Sequence, residues 1–584
     1  MRNSAINQID FYKTGHIQQY PTNTEYVYSN FTARSNNKSN IENSKGVVFI
    51  GLQLFIKDYL IDEWNNTFFE MDKSFVVDKY QRQISNALGY TVDVSHIADL
   101  HDLGYLPIHI KALPEGSFVP YKIPLLTIVN TLPEFYWLPN YLESVISNEL
   151  WPMTTSATTY FEYLKTFHLY ADLTGADKNF IPFQAHDFSF RGMFGRDAAA
   201  KSAFAAIACG SMGTDSLPGI DIAETYYNAT EEFIAGSVNA TEHSVMSSNI
   251  ELLIDDITDR SQAEFDTFKR LIVDVYPTGN ISIVSDTFDF WNVVSNILPG
   301  LKSIIMERDG KVIIRPDSGD PVDILCGKWN HMFHDFDTNG CILNNIEECL
   351  RKMQNMMLSW NTTCDPKDIQ DIFAYFKFKN KYYKVDMLCE WKILAANEDR
   401  KSDIARLDNF KLTHRAITPT PQQLGLIESL WNIFGGKVND KGFKTLDSHI
   451  GAIYGDSITL DRQKQILHGL KLKGFASDNV VLGVGSFSYQ YITRDTHGFA
   501  MKATSIVVDG KRYDIFKDPK TDSGTKKSAR GLLMVSHING KYELKDQCTE
   551  REEKHGCLET VYLDGCISKE YTLKDIRDRV KLYL

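Results

Sequence analysis

The stretch VIIRPDSGDPV, residues 312–322, runs from apolar residues straight into Arg315, Pro316, Asp317, Ser318 and Gly319. A cation and a carboxylate at the end of a strand suit a charged ligand. Arginine takes a phosphate through two parallel charge-assisted hydrogen bonds, and a carboxylate takes ribose hydroxyls or holds Mg²⁺ through waters. The same chemistry recurs where other apolar runs end: NISIVSD closes on Asp286, GAIYGDS on Gly455 and Asp456, VVLGVGS on Gly485 and Ser486. Glycine at a strand-to-helix turn lets backbone N–H groups approach a phosphate, and the helix N-terminus favours the anion. Each piece alone has a plainer reading. PDSGDP makes an Asx-type turn, Asp456 caps a helix, and short glycine turns are common. Recurrence at successive strand ends is what points to a phosphorylated sugar.

Two further segments carry chemistry. ATEHSVMSS sets Glu242 and His243 among small hydroxyl residues. A lone histidine is more often structural, whereas one beside a carboxylate and an anion site can accept a phosphoryl group or act as a general acid. KDPKTDSGTKKSARG, residues 517–531, holds Lys517, Lys520, Lys526, Lys527 and Arg530. Most of it reads as a solvated loop, with Lys517, next to a strand, as the contact.

These residues need elements to place them. From about residue 180 the chain repeats strand, polar or glycine turn, helix, which predicts parallel βα units. In a closed α/β barrel the reactive side chains gather at the C-terminal strand ends, where Asp286, Arg315, Asp317, Gly455, Asp456, Gly485 and Ser486 stand. Ala198 to Cys209 is an alanine-rich helix stopped by Gly210. The first 170 residues mix helix and strand, with HIKALPEGSFVPYKIPLLTIVNT reading as strands and YLESVISNELWPMTTSATTYFEYLKTF as a long helix. Between 323 and 418 the rhythm lapses into an inserted helical and β-hairpin module, and ITPTPQQ reads as the linker back. The last part is strand-rich, with a hairpin at Asp509–Gly510. The expected organisation is 1–170 and 505–584 as the two parts of a mixed α+β domain, 171–322 and 419–504 as the two parts of the barrel, and 323–418 as the insertion.

Bulk properties exclude several classes. The 584 residues allow two or three domains. With 43% hydrophobic and 23% charged residues the composition is globular. A net charge of −13 argues against a nucleic-acid-coating protein. The nine cysteines are odd in number and form no C-x-x-C pair, so neither a disulfide framework nor a zinc knuckle is expected, and a reducing cytoplasm is. The start lacks the apolar stretch of a signal peptide, and no run of about 18 apolar residues suggests a membrane span.

Taken in order, the segments DFYKTGHIQQYP, HIKALPEGSFVP, YWLPNYLES, HDFSFRG, GTDSLPGI, ATEHSV, VSDTFDFWN, IIRPDSGDP, GAIYGDSITL, VLGVGSFSYQYITRD and FKDP resemble the nicotinamide phosphoribosyltransferase family. They cover most of the chain outside 323–418. The resemblance implies a type II phosphoribosyltransferase fold, an α/β barrel with a mixed domain built from both termini, and a homodimer with shared active sites. It implies that nicotinamide and phosphoribosyl pyrophosphate give nicotinamide mononucleotide and diphosphate in NAD salvage, with Mg²⁺ and with ATP as a coupling substrate. By motif, Phe188 matches the aromatic stacking on the nicotinamide ring and Tyr12 the second face, from the other subunit, with Asp10 beside it. Asp215 matches the carboxylate that accepts from the carboxamide NH₂, and Arg191 the diphosphate arginine. His243 matches the histidine phosphorylated by ATP, with Ser237 and Glu242 as neighbours in that region. Asp286 matches the aspartate holding Mg²⁺ through water, Arg315 the phosphate arginine, and Asp317 the carboxylate on the ribose hydroxyls. Gly455, Asp456, Gly485 and Ser486 match the loops around ribose and 5′-phosphate, and Arg494, Lys502 and Lys517 match cations on the phosphate and nucleotide side.

The chain departs from the compact animal-type members in the 323–418 module, in Ser486 for a glycine, in Phe190 for a tyrosine and in Ala500 for a serine. Three rival readings are weighed. A nicotinate phosphoribosyltransferase shares the fold, but Asp215 would repel the nicotinate carboxylate. A non-catalytic nicotinamide or nucleotide binder would not need His243. An unrelated Mg²⁺-dependent sugar-phosphate enzyme fits the strand ends and not the aromatic pair.

Overall fold

The computed structural model describes residues 4–229, 233–257, 259–328, 350–351, 363–364, 372–378, 381–395, 404–455, 458–521 and 527–584. Its centre is a parallel sheet of six strands ordered Ala185–Asp187, Val480–Val484, Ile450–Tyr454, Val312–Arg315, Ile281–Val284, Asn239–Ala240. Residues 213 and 214 join its two edges: Asp187 bridges Thr214 and Gly213 bridges Gly236, both in parallel. The sheet thereby closes into a barrel, and all C-terminal strand ends open on one mouth.

The strand and helix alternation expected from the sequence is present. Ile281–Val284 and Val312–Arg315 pair in parallel through four residues, Ile281 opposite Val312 to Val284 opposite Arg315. The alanine-rich helix spans Arg196–Ala208 and ends before Gly210, whose φ of 108° suits glycine. Thr459 caps Leu460–Leu472 by accepting from the Arg462 N–H.

The second sheet has seven strands in the order Lys511–Asp514, Ala500–Val508, Thr24–Thr32, Pro124–Asn130, Ile108–Ala112, Glu559–Leu563, Cys566–Ile567. Strands from both chain ends therefore lie side by side, as the resemblance implies. The Asp509–Gly510 hairpin is present, with positive φ at both residues. A 32-residue helix, Glu143–Thr174, ties the two sheets together. Its Val145, Ile146 and Leu150 pack in the core of the mixed domain. Its Met153, Tyr160, Leu164 and Phe167 pack against the barrel.

Within the insertion, Thr363–Cys364, Ile372–Phe378, Lys381–Ala395 and Ile404–Ile417 form a four-stranded antiparallel sheet. The hairpin part of the expected module is thus present, and most of its helical part lies outside the described residues. One expectation needs correcting. ITPTPQQ is not a plain linker: Thr420 and Gln423 form a reciprocal capping box, and Pro421 opens the helix Pro421–Phe434. Among the described residues, no helix is long and apolar enough to cross a membrane.

Candidate active site

A cavity of about 270 Å³ runs along the barrel interior. Phe188, Asp215, Ser237 and Arg315 line it towards the mouth, and Asn280, Lys311, Thr445 and Asp478 towards the far end. Phe188 follows the strand Ala185–Asp187 and its N–H donates to the Val484 carbonyl (3.0 Å). Its ring occupies space that only glycines leave. A Cβ on Gly483 would lie 2.4 Å from the ring, and one on Gly455 3.5 Å from it and 3.3 Å from Asp317 Oδ1. The strand ends at Gly455 and Gly483 thus bring the aromatic wall and the Asp317 carboxylate together.

Asp215 leaves the segment that closes the barrel, its N–H donating to the Asp187 carbonyl (3.0 Å). Its Oδ1 accepts from His186 Nε2 at 2.8 Å. Burial opposes ionisation of Asp215. The His186 hydrogen bond and electrostatic pull, the Ser237 hydroxyl and Arg315 outweigh it, so the carboxyl titrates below its ordinary value.

A second cluster lies at the neighbouring strand ends. Asp286 Oδ2 accepts from the Asp317 N–H (3.0 Å) and the Ser318 hydroxyl (2.6 Å). Asp286 Oδ1 is buried with no hydrogen-bond partner among the described residues. It faces His243 Nε2 at 3.8 Å, and Asp317 Oδ2 is 4.0 Å from the same nitrogen. His243 opens the helix His243–Ile257, and Thr287 Oγ1 lies 3.1 Å from its Nδ1. Arg315 donates to the Thr241 carbonyl, which ties the arginine to the segment leading into His243. The residues fit Mg²⁺: a buried carboxylate oxygen without a donor, beside a second, half-exposed carboxylate, is what a hydrated hard cation takes.

Other expected residues gather elsewhere. Arg191 is exposed on the turn Phe190–Gly192, and Gly192 packs on Ser486, where a Cβ would collide with the serine side chain. Gly485 precedes the short helix Ser486–Gln490 with a φ of −89° and open space beside it, so it is glycine for neither conformation nor room in this chain. Asp456 lies outside the described residues. Asp10, Tyr12, Arg494, Lys502 and Lys517 do not line the cavity.

Four of these five belong, instead, to a patch on the mixed domain or its edge. Asp10 accepts from Ser144 at the start of the long helix (2.5 Å). Tyr12 is 60% exposed, with Lys13 Nζ 5.2 Å from its ring centre. Lys13 pairs with Glu143, and Lys502 Nζ lies 3.9 Å from the same carboxylate. Burial lowers the Lys502 pKa, Glu143 opposes that, and Arg34, Lys517 and Lys13 add repulsion. Several cations around one carboxylate make an electropositive surface with capacity for an anion. Arg494 is exposed, 3.7 Å from Asp495. Lys517 stands three residues beyond the strand Lys511–Asp514 and not directly after it, its N–H donating to the Ser528 hydroxyl (2.9 Å).

Sequence reasoning missed His186 and Arg34. His186 carried a signal, since it stands two residues before Phe188 and strand period 2 puts both on one face. Arg34 had none; it meets Lys502 only because Thr24–Thr32 pairs with Ala500–Val508, Asn30 opposite Lys502.

A parallel barrel with a charged, aromatic-walled mouth, joined to a sheet drawn from both chain ends, defines a type II phosphoribosyltransferase. A model of the nicotinate phosphoribosyltransferase (NAPRTase) family matches residues 183–373 and 412–565, and one of the nicotinamide phosphoribosyltransferase N-terminal domain matches residues 4–110. The nicotinamide phosphoribosyltransferase of Acinetobacter baylyi is 42% identical over 99% of this chain and 97% of its own length. Those of Mycoplasma pneumoniae and Xanthomonas campestris pv. campestris are 28% and 26% identical, over 89% and 97% of this chain and 93% and 96% of theirs. A solved structure, the nicotinate-nucleotide pyrophosphorylase of Pyrococcus furiosus, aligns over 100% of this chain and 96% of its own at 14% identity and a TM-score of 0.49. The chain belongs to the nicotinamide phosphoribosyltransferase family.

Proposed function

We propose that the protein transfers the phosphoribosyl group of phosphoribosyl pyrophosphate to nicotinamide, forming nicotinamide mononucleotide and diphosphate for NAD salvage. The observation that carries the choice of base is Asp215, an ionised carboxylate inside an aromatic-walled cavity. It accepts a hydrogen bond from a carboxamide NH₂ and repels the carboxylate of nicotinate.

The pyridine nitrogen supplies the nucleophile. Its lone pair forms the new bond to the anomeric carbon while the bond to diphosphate breaks and that electron pair leaves on oxygen. The ring becomes a pyridinium and no proton moves, so the protein needs no activated side chain. Its work is positioning and electrostatics. Phe188 offers one face for the ring and Tyr12 of a second copy the other. Asp317 holds the ribose hydroxyls beside the centre where positive charge builds, with Gly455 and Asp456 around the sugar. Arg315 and Arg191 meet the departing diphosphate, and Gly485 and Ser486 the 5′-phosphate. Asp286, with Asp317 beside it, would hold Mg²⁺, which would supply positive charge to screen the diphosphate. The Arg34, Lys502 and Lys517 surface, with Arg494, supplies cations to the phosphates from the second copy, so a homodimer completes each site. The His243 Nε2 lone pair attacks the γ-phosphorus of ATP, the P–O bond to ADP breaks with its electron pair leaving on ADP, and hydrolysis of the phosphohistidine after turnover releases phosphate; the phosphorylated state binds substrate more tightly. Cysteine usage favours a cytoplasmic setting.

The test is a competition: purified protein with Mg²⁺, phosphoribosyl pyrophosphate and equal nicotinamide and nicotinate, with and without ATP, both mononucleotides being quantified. The expected result is nicotinamide mononucleotide alone, made faster with ATP. Nicotinate mononucleotide as the main product would overturn the reading of Asp215, and absence of both products would overturn the enzyme reading.

A further inference from the structure

Asp215 stands partly inside the cavity, its side chain 39% exposed, and partial burial raises the cost of its charge. Without a supporting donor the acid takes up a proton more easily, and then becomes a hydrogen-bond donor as well as an acceptor. A neutral Asp215 would lose its selectivity, because a carboxylic acid can donate to the carboxylate of nicotinate as readily as it accepts from an amide. Base selection therefore depends on whatever keeps the group charged and correctly turned.

The nearest such group is His186. Its Nε2 lies 2.8 Å from Asp215 Oδ1. An ionised carboxylate has no hydrogen to give, so Nε2 carries it and the tautomer is fixed. The ring has little freedom to leave this position. It meets the Phe188 ring at 4.7 Å between centres and 43° between planes. On the other side it lies over Gly213, where a Cβ would stand 2.7 Å from His186 Nδ1. The backbones that launch the two side chains are locked as well: the Asp187 N–H donates to the Gly213 carbonyl (3.1 Å) and the Asp215 N–H to the Asp187 carbonyl (3.0 Å). The remaining groups that act on Asp215 are the Ser237 hydroxyl and Arg315, and the arginine is also engaged with the Thr241 carbonyl. Lys311 and Asp478 lie at the far end of the cavity.

We infer that His186 is the positioning residue for base selection: by donating from Nε2 to Asp215 Oδ1 it keeps the carboxylate an anion and leaves its second oxygen for the carboxamide. Three neighbours serve this arrangement. Gly213 provides the space, Phe188 holds both the histidine and the substrate ring, and the barrel closure sets the distance. The inference rests on the proposed role of Asp215 and adds a group that need not touch the substrate.

The experiment compares full-length H186L, H186Q and D215N with the parent, measuring kcat and KM separately for nicotinamide and nicotinate from pH 6 to 8.5. In H186L the donor is gone and Asp215 becomes easier to protonate. The expected result is a nicotinamide KM raised ~10-fold or more with kcat changed far less, and nicotinate use that grows as the pH falls. H186Q, whose amide can donate in the same direction, recovers most of the nicotinamide KM. H186M fills the same space without a donor and replaces H186L if the leucine variant does not fold. Equal losses for both bases with no pH dependence, or H186Q no better than H186L, would overturn the inference. D215N separates the two levels of the argument. If it leaves the nicotinamide-to-nicotinate ratio unchanged, the role of Asp215 itself fails, whereas a changed ratio in D215N with an unchanged one in H186L removes His186 alone.

Discussion

At the scale of single residues, the proposed function divides the chemistry between groups for the sugar phosphate and His243 for ATP. His243 is half-exposed at the start of its helix, held at Nδ1 by Thr287, with Nε2 turned to Asp286 and Asp317. A phosphoryl group on Nε2 would sit beside the Asp286 and Asp317 carboxylates, an arrangement that calls for a cation between them under the proposed function. His243→Ala is expected to abolish stimulation by ATP and to leave weak basal synthesis, because no other group on the transfer path is removed. Product formation with and without ATP, measured beside ATP hydrolysis, checks this, and full coupling in the variant would remove the role assigned to His243. The expected residues that the structure brings together are ones whose types suggest an anion site: Arg315, Asp317 and Asp286 stand with His243 at neighbouring strand ends. His186 went unread although it lies inside the HDFSFRG motif, because a histidine on a strand face has many structural uses and its carboxylate partner is 29 residues away.

At the scale of elements, period and capping made the barrel strands and their helices readable. The misreadings came where a local rule was passed over. ITPTPQQ looks like a linker by composition, yet a threonine three residues before glutamine, with proline between them at the first helical position, is a helix start. The cation patch was not readable as a patch, since Lys13, Arg34, Lys502 and Lys517 lie far apart in sequence and meet through strand pairing and a shared carboxylate, Glu143. One barrel helix carries a testable liability. Glu264, on Arg260–Arg270, is 2% exposed, and its Oε1 has no hydrogen-bond partner among the described residues. Burial first, and the Asp289 charge second, push its pKa from 4.5 up to about 7. A raised acid pKa means that the folded state holds the proton more tightly than the unfolded chain. Stability is then highest below pH 4.5 as far as this group is concerned, falls as the pH rises towards 7, and is fully reduced above it, by on the order of 3 kcal/mol. Glu264→Gln is expected to raise the melting temperature by ~2 °C or more at pH 8 and to change it little at pH 5. A shift of equal size at both pH values would show that the charge is not the cause.

At the scale of the whole molecule, the proposed site draws on two separate places in the chain. The barrel mouth holds Phe188, Asp215, Arg315, Asp317 and His243, and the mixed domain holds Tyr12, Arg34, Lys502 and Lys517. Tyr12 projects from the mixed domain with more than half of its surface exposed, next to the half-exposed Phe11. A second copy related by a two-fold axis would place each patch over the other barrel, because an isologous interface makes every contact twice. This predicts complementation between variants that are each inactive. Arg34→Ala disables only the mixed-domain half and Asp317→Ala only the barrel half. In a mixed dimer both defects fall in one site and the other site is intact. Unfolding and refolding an equal mixture, or coexpressing the two chains, is expected to restore about a quarter of parental activity, since half of the dimers are mixed and each has one working site. Activity no higher than that of the separate variants, in a sample shown to contain mixed dimers, would mean that each chain builds its site alone and that the cation patch serves another purpose.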